Sequence, residues 1–142
     1  MSSTPQIITF NQMRESLYAA VVSDALDATG YRSQSCAAPL TNLTGGASVL
    51  VGRAKTTLWE DLDHEDPEPY KLELKAVDSC QADDIFIAAA HGSNRSGVWG
   101  ELLTTASRNG GCVGAIVDGF VRDTAPMSQM KFPVFARGTN VY

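Results

Sequence analysis

Residues 85–136 alternate short apolar runs with glycine-bounded polar turns, and this alternation restricts the chain to a layered arrangement of strands and helices. Ile85-Phe-Ile-Ala-Ala-Ala is an unbroken apolar run of strand length, introduced by the turn-forming pair Asp83-Asp84. His91-Gly-Ser-Asn-Arg-Ser-Gly follows and reads as a glycine- and serine-rich loop. Gly100 then opens a helical stretch over 101–108, which Gly110 and Gly111 stop. Cys112-Val-Gly-Ala-Ile-Val-Asp-Gly is a second apolar run ending at a turn, a helix restarts near Thr124, and Phe132-Pro-Val-Phe-Ala is a further strand. This order predicts an α/β fold, in which ligands gather at strand ends.

The first half carries weaker signals. Over 10–29 the residues Met13, Leu17, Ala20, Val21, Ala25, Leu26 and Ala28 recur at helical spacing. Two short helices are expected, the first capped by Thr9 or Asn11, the second by Ser23 with Asp24 in its first turn, and Gly30 supplies a left-handed stop. Residues 31–44, with Pro39 and many small polar side chains, read as irregular. Val49, Leu50, Val51, Thr56, Thr57 and Leu58, interrupted by Gly52, predict one or two strands, and residues 72–77 a short helix. Between them Asp61-Leu-Asp-His-Glu-Asp-Pro-Glu-Pro is acidic and holds two prolines, which suits a solvated loop.

Composition narrows the function. The 142 residues, 44% of them apolar, are enough for one packed domain over 1–142. Eleven basic against sixteen acidic residues give a net charge of −5, which repels a phosphate backbone, so nucleic acid is not expected as a partner. An anionic substrate needs a local cluster of donors, a cation or both. Cys36, Cys80 and Cys112 form no Cys-x-x-Cys pair and read as reduced thiols of a cytoplasmic protein. The N-terminus lacks a secretory pattern, and no apolar run approaches the ~18 residues of a membrane span.

Two places offer the required donors. The helix expected after Gly100 leaves its first N–H groups, those of Glu101, Leu102 and Leu103, without intrahelical partners, and its dipole adds positive charge there. Gly100 lets a carboxylate approach that backbone. No Gly-Lys-Ser or Gly-Lys-Thr ending makes it a P-loop. Downstream, Asp118-Gly-Phe-Val-Arg-Asp follows an apolar strand; Arg122 can clamp a carboxylate or steady an enolate oxygen, and Asp123 can ligate a hard cation. His64 and His91 are the only histidines and form no recognisable triad or metal motif. Cys112 opens a strand and reads as packed rather than nucleophilic.

Val22-Ser-Asp-Ala-Leu-Asp, Val51-Gly-Arg-Ala, Gly100-Glu-Leu-Leu, Asp118-Gly-Phe-Val-Arg-Asp and Phe132-Pro-Val-Phe-Ala-Arg-Gly resemble, in order and spacing, the RraA-like family. That family includes 4-hydroxy-4-methyl-2-oxoglutarate aldolases with oxaloacetate decarboxylase activity. Its signature is an acidic residue, twenty intervening residues, then Arg-Asp; here Glu101 is followed by 102–121 and then Arg122-Asp123. The resemblance spans roughly 23–138.

It implies a three-layer β/β/α fold of the swivelling-domain type, assembled as homotrimers or hexamers with sites at subunit interfaces. By analogy the backbone of Gly100, Glu101, Leu102 and Leu103 holds the carboxylate of a small 2-oxo acid, Arg122 contacts its oxygens, and Asp123 ligates Mg2+ or Mn2+. Glu101, where the family often has Asp, orients a water that moves the proton. The implied activity is that of a class II pyruvate aldolase and oxaloacetate decarboxylase: the ion is chelated by the substrate, and carbon–carbon cleavage leaves a metal-bound pyruvate enolate. Pro126 stands where family aldolases often carry an acidic residue. Many members also continue past the Phe-Ala-Arg-Gly segment to an acidic residue that reaches a neighbouring subunit's metal, so a shortened or fragmentary member is expected here. The family also contains a protein-binding inhibitor of ribonuclease E, which makes a non-catalytic regulator the alternative, with the acidic stretch 61–68 as its docking patch.

Overall fold

The computed structural model describes residues 7–47 and 49–142, which fall into two compact units, Met1–Ser35 and Cys36–Tyr142. In the first unit, α1 (Phe10–Ser16) begins at Thr9. The Gln12 amide donates to Thr9 Oγ1 at 3.3 Å and the Thr9 amide donates to Gln12 Oε1 at 2.9 Å, a reciprocal pair that satisfies two otherwise orphaned N–H groups. The second helix, α2 (Ala19–Ala28), departs from expectation. It starts after the extended Tyr18, so Ser23 and Asp24 lie inside it rather than at its cap. Ala19 and Ala20 carry the highest helix propensity and nucleate the helix one turn early. Gly30 is left-handed as expected, with φ +91°.

The second unit contains β1 (Thr41–Asn42), β2 (Arg53–Leu58), α3 (Lys71–Asp78), β3 (Asp84–Trp99), α4 (Glu101–Asn109), β4 (Gly114–Val121), α5 (Thr124–Gln129) and β5 (Val134–Thr139). The strands form one five-stranded sheet in the order β1-β5-β4-β3-β2. β2 to β5 pair in parallel and β1 closes one edge antiparallel to β5. Each parallel step moves to the adjacent strand through a helix, and since such crossovers are right-handed, α3, α4 and α5 share one face. The core agrees: Val77, Leu103 and Met127 of the three helices pack with Phe86, Ala88, Ala115, Val117, Val134 and Ala136 of the strands. The alternate residues Ile87, Ile116 and Phe135, in register across three strands, point to the opposite face and are only partly buried.

β3 corrects the loop expected over 91–97. The chain stays extended there but bulges: eleven steps from Ala88 to Trp99 are matched by four on β4, from Val117 to Val121. His91 and Gly92, with φ of 51° and 71°, start the bulge, and a close approach keeps Gly97 bare, because a Cβ there would sit 2.5 Å from the Asn140 carbonyl. The strand recovers its register at Trp99, whose fully buried ring meets Phe86 at a centroid distance of 4.8 Å. Trp99 Nε1 donates to Thr104 Oγ1 at 2.8 Å, and that hydroxyl donates to Met127 Sδ at 3.0 Å. This chain of contacts ties the end of β3 to α4 and α5.

Thr104 and Ser107 make a controlled pair on α4, both fully buried, the first satisfied and the second with an Oγ that has no partner among the described residues. Thr104→Val strands the buried indole N–H and is expected to lower unfolding stability by about 1–3 kcal/mol, while Ser107→Ala removes an unpaired hydroxyl and is expected to hold or raise it. Urea unfolding followed by tryptophan fluorescence checks both; equal losses in the two variants would contradict the hydrogen-bond assignment.

Candidate functional site

The carboxyl ends of β2, β3 and β4 lie along one edge of the sheet, and the segments that leave them enclose a cleft of about 860 Å³. Trp59, Glu60 and Asp61 come from the end of β2, Ser93, Arg95 and Ser96 from the bulge of β3, and Arg122 and Asp123 from the turn after β4. Tyr70, Glu73 and Leu74 come from the start of α3, and Gly100, Leu102 and Leu103 from the start of α4. Parallel strands with helices on one face put helix N-termini at this edge, where oriented N–H groups favour anions.

The two turns singled out in the sequence meet here. The Arg122 amide donates to the Trp99 carbonyl at 2.8 Å, fixing the end of β4 against the end of β3. Asp123 then adopts the left-handed region, with φ 58° and ψ 34°, and its carboxylate reaches α4 rather than its own helix: the Glu101 amide donates to Asp123 Oδ2 at 3.2 Å. Aspartate tolerates this backbone better than most residues. Arg122 Nε lies 3.5 Å from the same oxygen, and both side chains remain partly exposed. Gly100 makes the approach possible, since a Cβ there would sit 2.6 Å from Asp123 Oδ2 and 3.2 Å from Arg122 Cγ.

The other expected site residues divide. Leu103 is buried in the core, and Leu102 stands at the mouth with 75% of its surface exposed. Their amides occupy the second and third positions of α4, where a helix supplies no acceptor. Glu101 does not face the cleft; its Oε1 accepts from Thr105 Oγ1 at 2.9 Å along the helix. His91 is exposed and is not part of the lining. Cys112 is a packed thiol, as its sequence context predicted: burial first, then a hydrogen bond with Cys80, push its pKa up to about 12.

Some lining residues carried little sequence signal. Asp61 belongs to the stretch read as a solvated loop, yet its carboxylate accepts from Ser93 Oγ at 2.7 and 2.9 Å. The remainder of that stretch is exposed as expected. Glu73 sits in the first turn of α3 among leucines that hide it, but it falls on the same helical stripe as Val77 and Cys80, both buried. That spacing of four and three was the available signal. Burial raises the Glu73 carboxyl above its ordinary value, and the Arg122 charge partly offsets the rise.

Among the described residues no group of three His, Cys, Asp or Glu side chains is assembled for a metal. Asp123 is a carboxylate of this cleft that could contribute to holding a hard divalent cation, one that keeps waters and takes oxygens from a ligand as Mg2+ does. A thiolate- or imidazole-bound ion does not fit the cleft lining.

The family profile described as RraA-like, Aldolase/RraA, matches residues 19–142. The chain belongs to this RraA-like family. A curated relative from Halalkalibacterium halodurans, named "Putative 4-hydroxy-4-methyl-2-oxoglutarate aldolase", is 29% identical over 126 residues, covering 84% of this chain and 52% of its own length. The chain thus spans about half of that curated relative. Among solved structures, one described as of novel cellulases from gut-associated microbes superposes with a TM-score of 0.80 at 23% identity, over 99% of this chain and 64% of the other. The RNA-processing inhibitor RraA from Thermus thermophilis gives 0.64 at 22% identity, over 82% and 66%. At these identities the structures establish the shared RraA-like fold. No helix among the described residues is long and apolar enough to cross a membrane.

Gly100→Ala tests the contact that joins the two turns of the RraA-like site. The extended backbone at Gly100, φ −154° and ψ −163°, accepts alanine, so the fold is expected to persist. The new Cβ is expected to expel the Asp123 carboxylate and cost about 1 kcal/mol in lost capping of α4. Amide NMR should show the Glu101 resonance shifted and its hydrogen exchange faster; unchanged Glu101 and Asp123 resonances would contradict the contact.

Proposed function

We propose that this RraA-like chain is a divalent-metal-dependent carbon–carbon lyase acting on 2-oxo acids, by retro-aldol cleavage of substrates like 4-hydroxy-4-methyl-2-oxoglutarate, by oxaloacetate decarboxylation, or by both. The observation that carries the reading is the convergence of Arg122, Asp123 and the first turn of α4 on one cleft. A curated relative named as such an aldolase supports it. The substrate carboxylate is assigned to the amides of Leu102 and Leu103 and to Arg122, whose planar fork presents paired donors. Gly100 keeps that approach open. The second oxygen of Asp123, not engaged by Glu101, is assigned to Mg2+ or Mn2+.

Bound there, the ion supplies Lewis acidity toward the substrate oxygens. The chain's own share is electrostatic and positional. Arg122 stabilises the negative charge that develops when the bond beyond the α-carbon breaks, whether the departing group is a second oxo acid or carbon dioxide. The helix end contributes a fixed positive field at no reorganisation cost. Glu101 is assigned the water that moves the proton, a role that requires its carboxylate to leave Thr105 by rotation. Self-association as a homotrimer or hexamer belongs to the same proposal. A second reading, a protein-binding regulator, draws on the likeness to the RNA-processing inhibitor and on the exposed acidic residues Asp63, Glu65, Asp66 and Glu68.

A coupled assay for pyruvate release from oxaloacetate and from 4-hydroxy-4-methyl-2-oxoglutarate, with MgCl2 and with chelator, tests the lyase reading. Release that chelator abolishes is expected; none with either substrate would leave the binding role. Arg122→Lys is expected to lower kcat roughly 10²–10³-fold with metal affinity little changed. Asp123→Asn is expected to weaken metal binding and to recover part of its activity at high MgCl2. Near-normal activity in both variants would return the pair to an ordinary surface turn.

A further inference from the structure

The cleft holds two arginines, and the proposed chemistry uses one of them. Of the five arginines in Cys36–Tyr142, Arg53, Arg122 and Arg137 pair with aspartates and Arg108 donates to a backbone carbonyl. Arg95 is the exception. It lines the cleft, yet its exposed guanidinium has no hydrogen bond or ion pair among the described residues.

Its backbone, by contrast, is held on both sides. Ser93 Oγ accepts from the Arg95 amide at 3.3 Å while donating to the Asp61 carboxylate at 2.7 and 2.9 Å. The neighbouring Asn94 carbonyl accepts from Asn140 Nδ2 at 2.7 Å. Two residues further on, Gly97 lies against Arg122: a Cβ at Gly97 would sit 3.0 Å from Arg122 Cβ and 3.1 Å from its amide nitrogen. Two residues of chain span at most about 7 Å, so the bulge of β3 starts the Arg95 side chain within that distance of the residue that touches Arg122.

We propose that Arg95 is a second carboxylate-binding group, which takes the distal carboxylate of a 2-oxo diacid whose 2-oxo acid end is held at Arg122, and so makes the cleft select diacids over 2-oxo monoacids of the same length. The proposal rests on the assignment of Arg122 and the first turn of α4 to the 2-oxo acid end. A substrate like 4-hydroxy-4-methyl-2-oxoglutarate carries a second carboxylate, but the donors assigned so far and the divalent ion all act on the first. Without a further donor the second carboxylate would lose water among Glu60, Asp61, Glu73 and Asp123 and gain nothing. A guanidinium offers it a planar pair of N–H groups. When these four acids are ionised, the two arginines and the bound ion together balance them, so no net charge draws a dianion in and the position of the donors decides. The contact favours a retro-aldol substrate. In oxaloacetate the second carboxylate departs as carbon dioxide, and a guanidinium held on it would stabilise the charge that has to be lost.

Isothermal titration of the full chain with 2-oxoglutarate and with 2-oxopentanoate, at fixed free Mg2+, compares ligands with the same carbon chain and the same 2-oxo acid end that differ in the distal carboxylate. Neither has the 4-hydroxyl group that retro-aldol cleavage needs. At about 0.15 M NaCl charges more than ~8 Å apart are largely screened, so a local contact is read rather than the general field. The wild type is expected to bind 2-oxoglutarate about tenfold more tightly. Arg95→Gln is expected to erase that preference with 2-oxopentanoate binding unchanged, and Arg95→Lys to keep part of it. Lys75→Gln, which removes an exposed positive charge outside the cleft lining, is expected to leave the preference intact. Equal affinity of the wild type for the two ligands, or a preference that survives Arg95→Gln or that Lys75→Gln also erases, would overturn the proposal while leaving the role of Arg122 intact. Oxalate serves as the reference for the 2-oxo acid end: if it binds the wild type and neither 2-oxo acid does, this proposal alone falls, and if none of the three binds, the reading of the site falls with it.

Discussion

The hydrogen bond from the Glu101 amide to Asp123 Oδ2 joins two turns that are 22 residues apart in the sequence, and the geometry of the site depends on it. It exists because Gly100 has no side chain to fill the space that the carboxylate takes. An anion at the N-terminus of a helix satisfies one orphaned donor and lies in the favourable end of the dipole. The same contact sets Arg122 beside the cleft, since its backbone is pinned to Trp99 and its side chain lies against Asp123. Charge and shape are thus fixed together by a main-chain donor and an absent Cβ.

Behind this contact stands the sheet. Four parallel strands joined by right-handed crossovers bring the ends of β2, β3 and β4 to one edge, and Trp99 holds the last residue of β3 in the core through Thr104 and Met127. The bulge in β3 supplies what a regular strand cannot. Its surplus residues carry Ser93 and Arg95 to the rim of the cleft, and Ser93 in turn holds Asp61. Packing against the helices therefore determines where the polar groups sit, and the partly buried Ile87, Ile116 and Phe135 on the far face take no part in the site.

The strand and helix order of residues 85–136 was legible because apolar periodicity and glycine punctuation agree there, and the meeting of the Gly100 and Arg122-Asp123 turns followed from that order. Gly111, left-handed at φ +100°, lies where the end of α4 was expected. Other features were not legible, for physical reasons. Ser23 has the chemistry of a cap, but the alanines before it start the helix sooner. Residues 91–97 have loop composition, yet a bulged strand still pairs at intervals with β4, which no local pattern records. Leu72 and Leu74 look like the core side of α3 but are 76% and 54% exposed, while Glu73 between them turns to the cleft. Hydrophobicity misled there, and helical phase with Val77 and Cys80 was the better guide. The Glu101 carboxylate shows the limit of the family signature, which gives the spacing of a residue and not its rotamer.

The central claim is that one site, at the ends of β3 and β4, takes both a 2-oxo acid carboxylate and a divalent ion. A crystal structure of the chain grown with MgCl2 and oxalate, a stand-in for the pyruvate enolate, tests it most directly. The account predicts oxalate within hydrogen-bonding distance of Arg122 and of the Leu102 and Leu103 amides, with the ion held between oxalate and the Asp123 carboxylate. Oxalate bound away from Arg122, or an ion that does not touch Asp123, would contradict it.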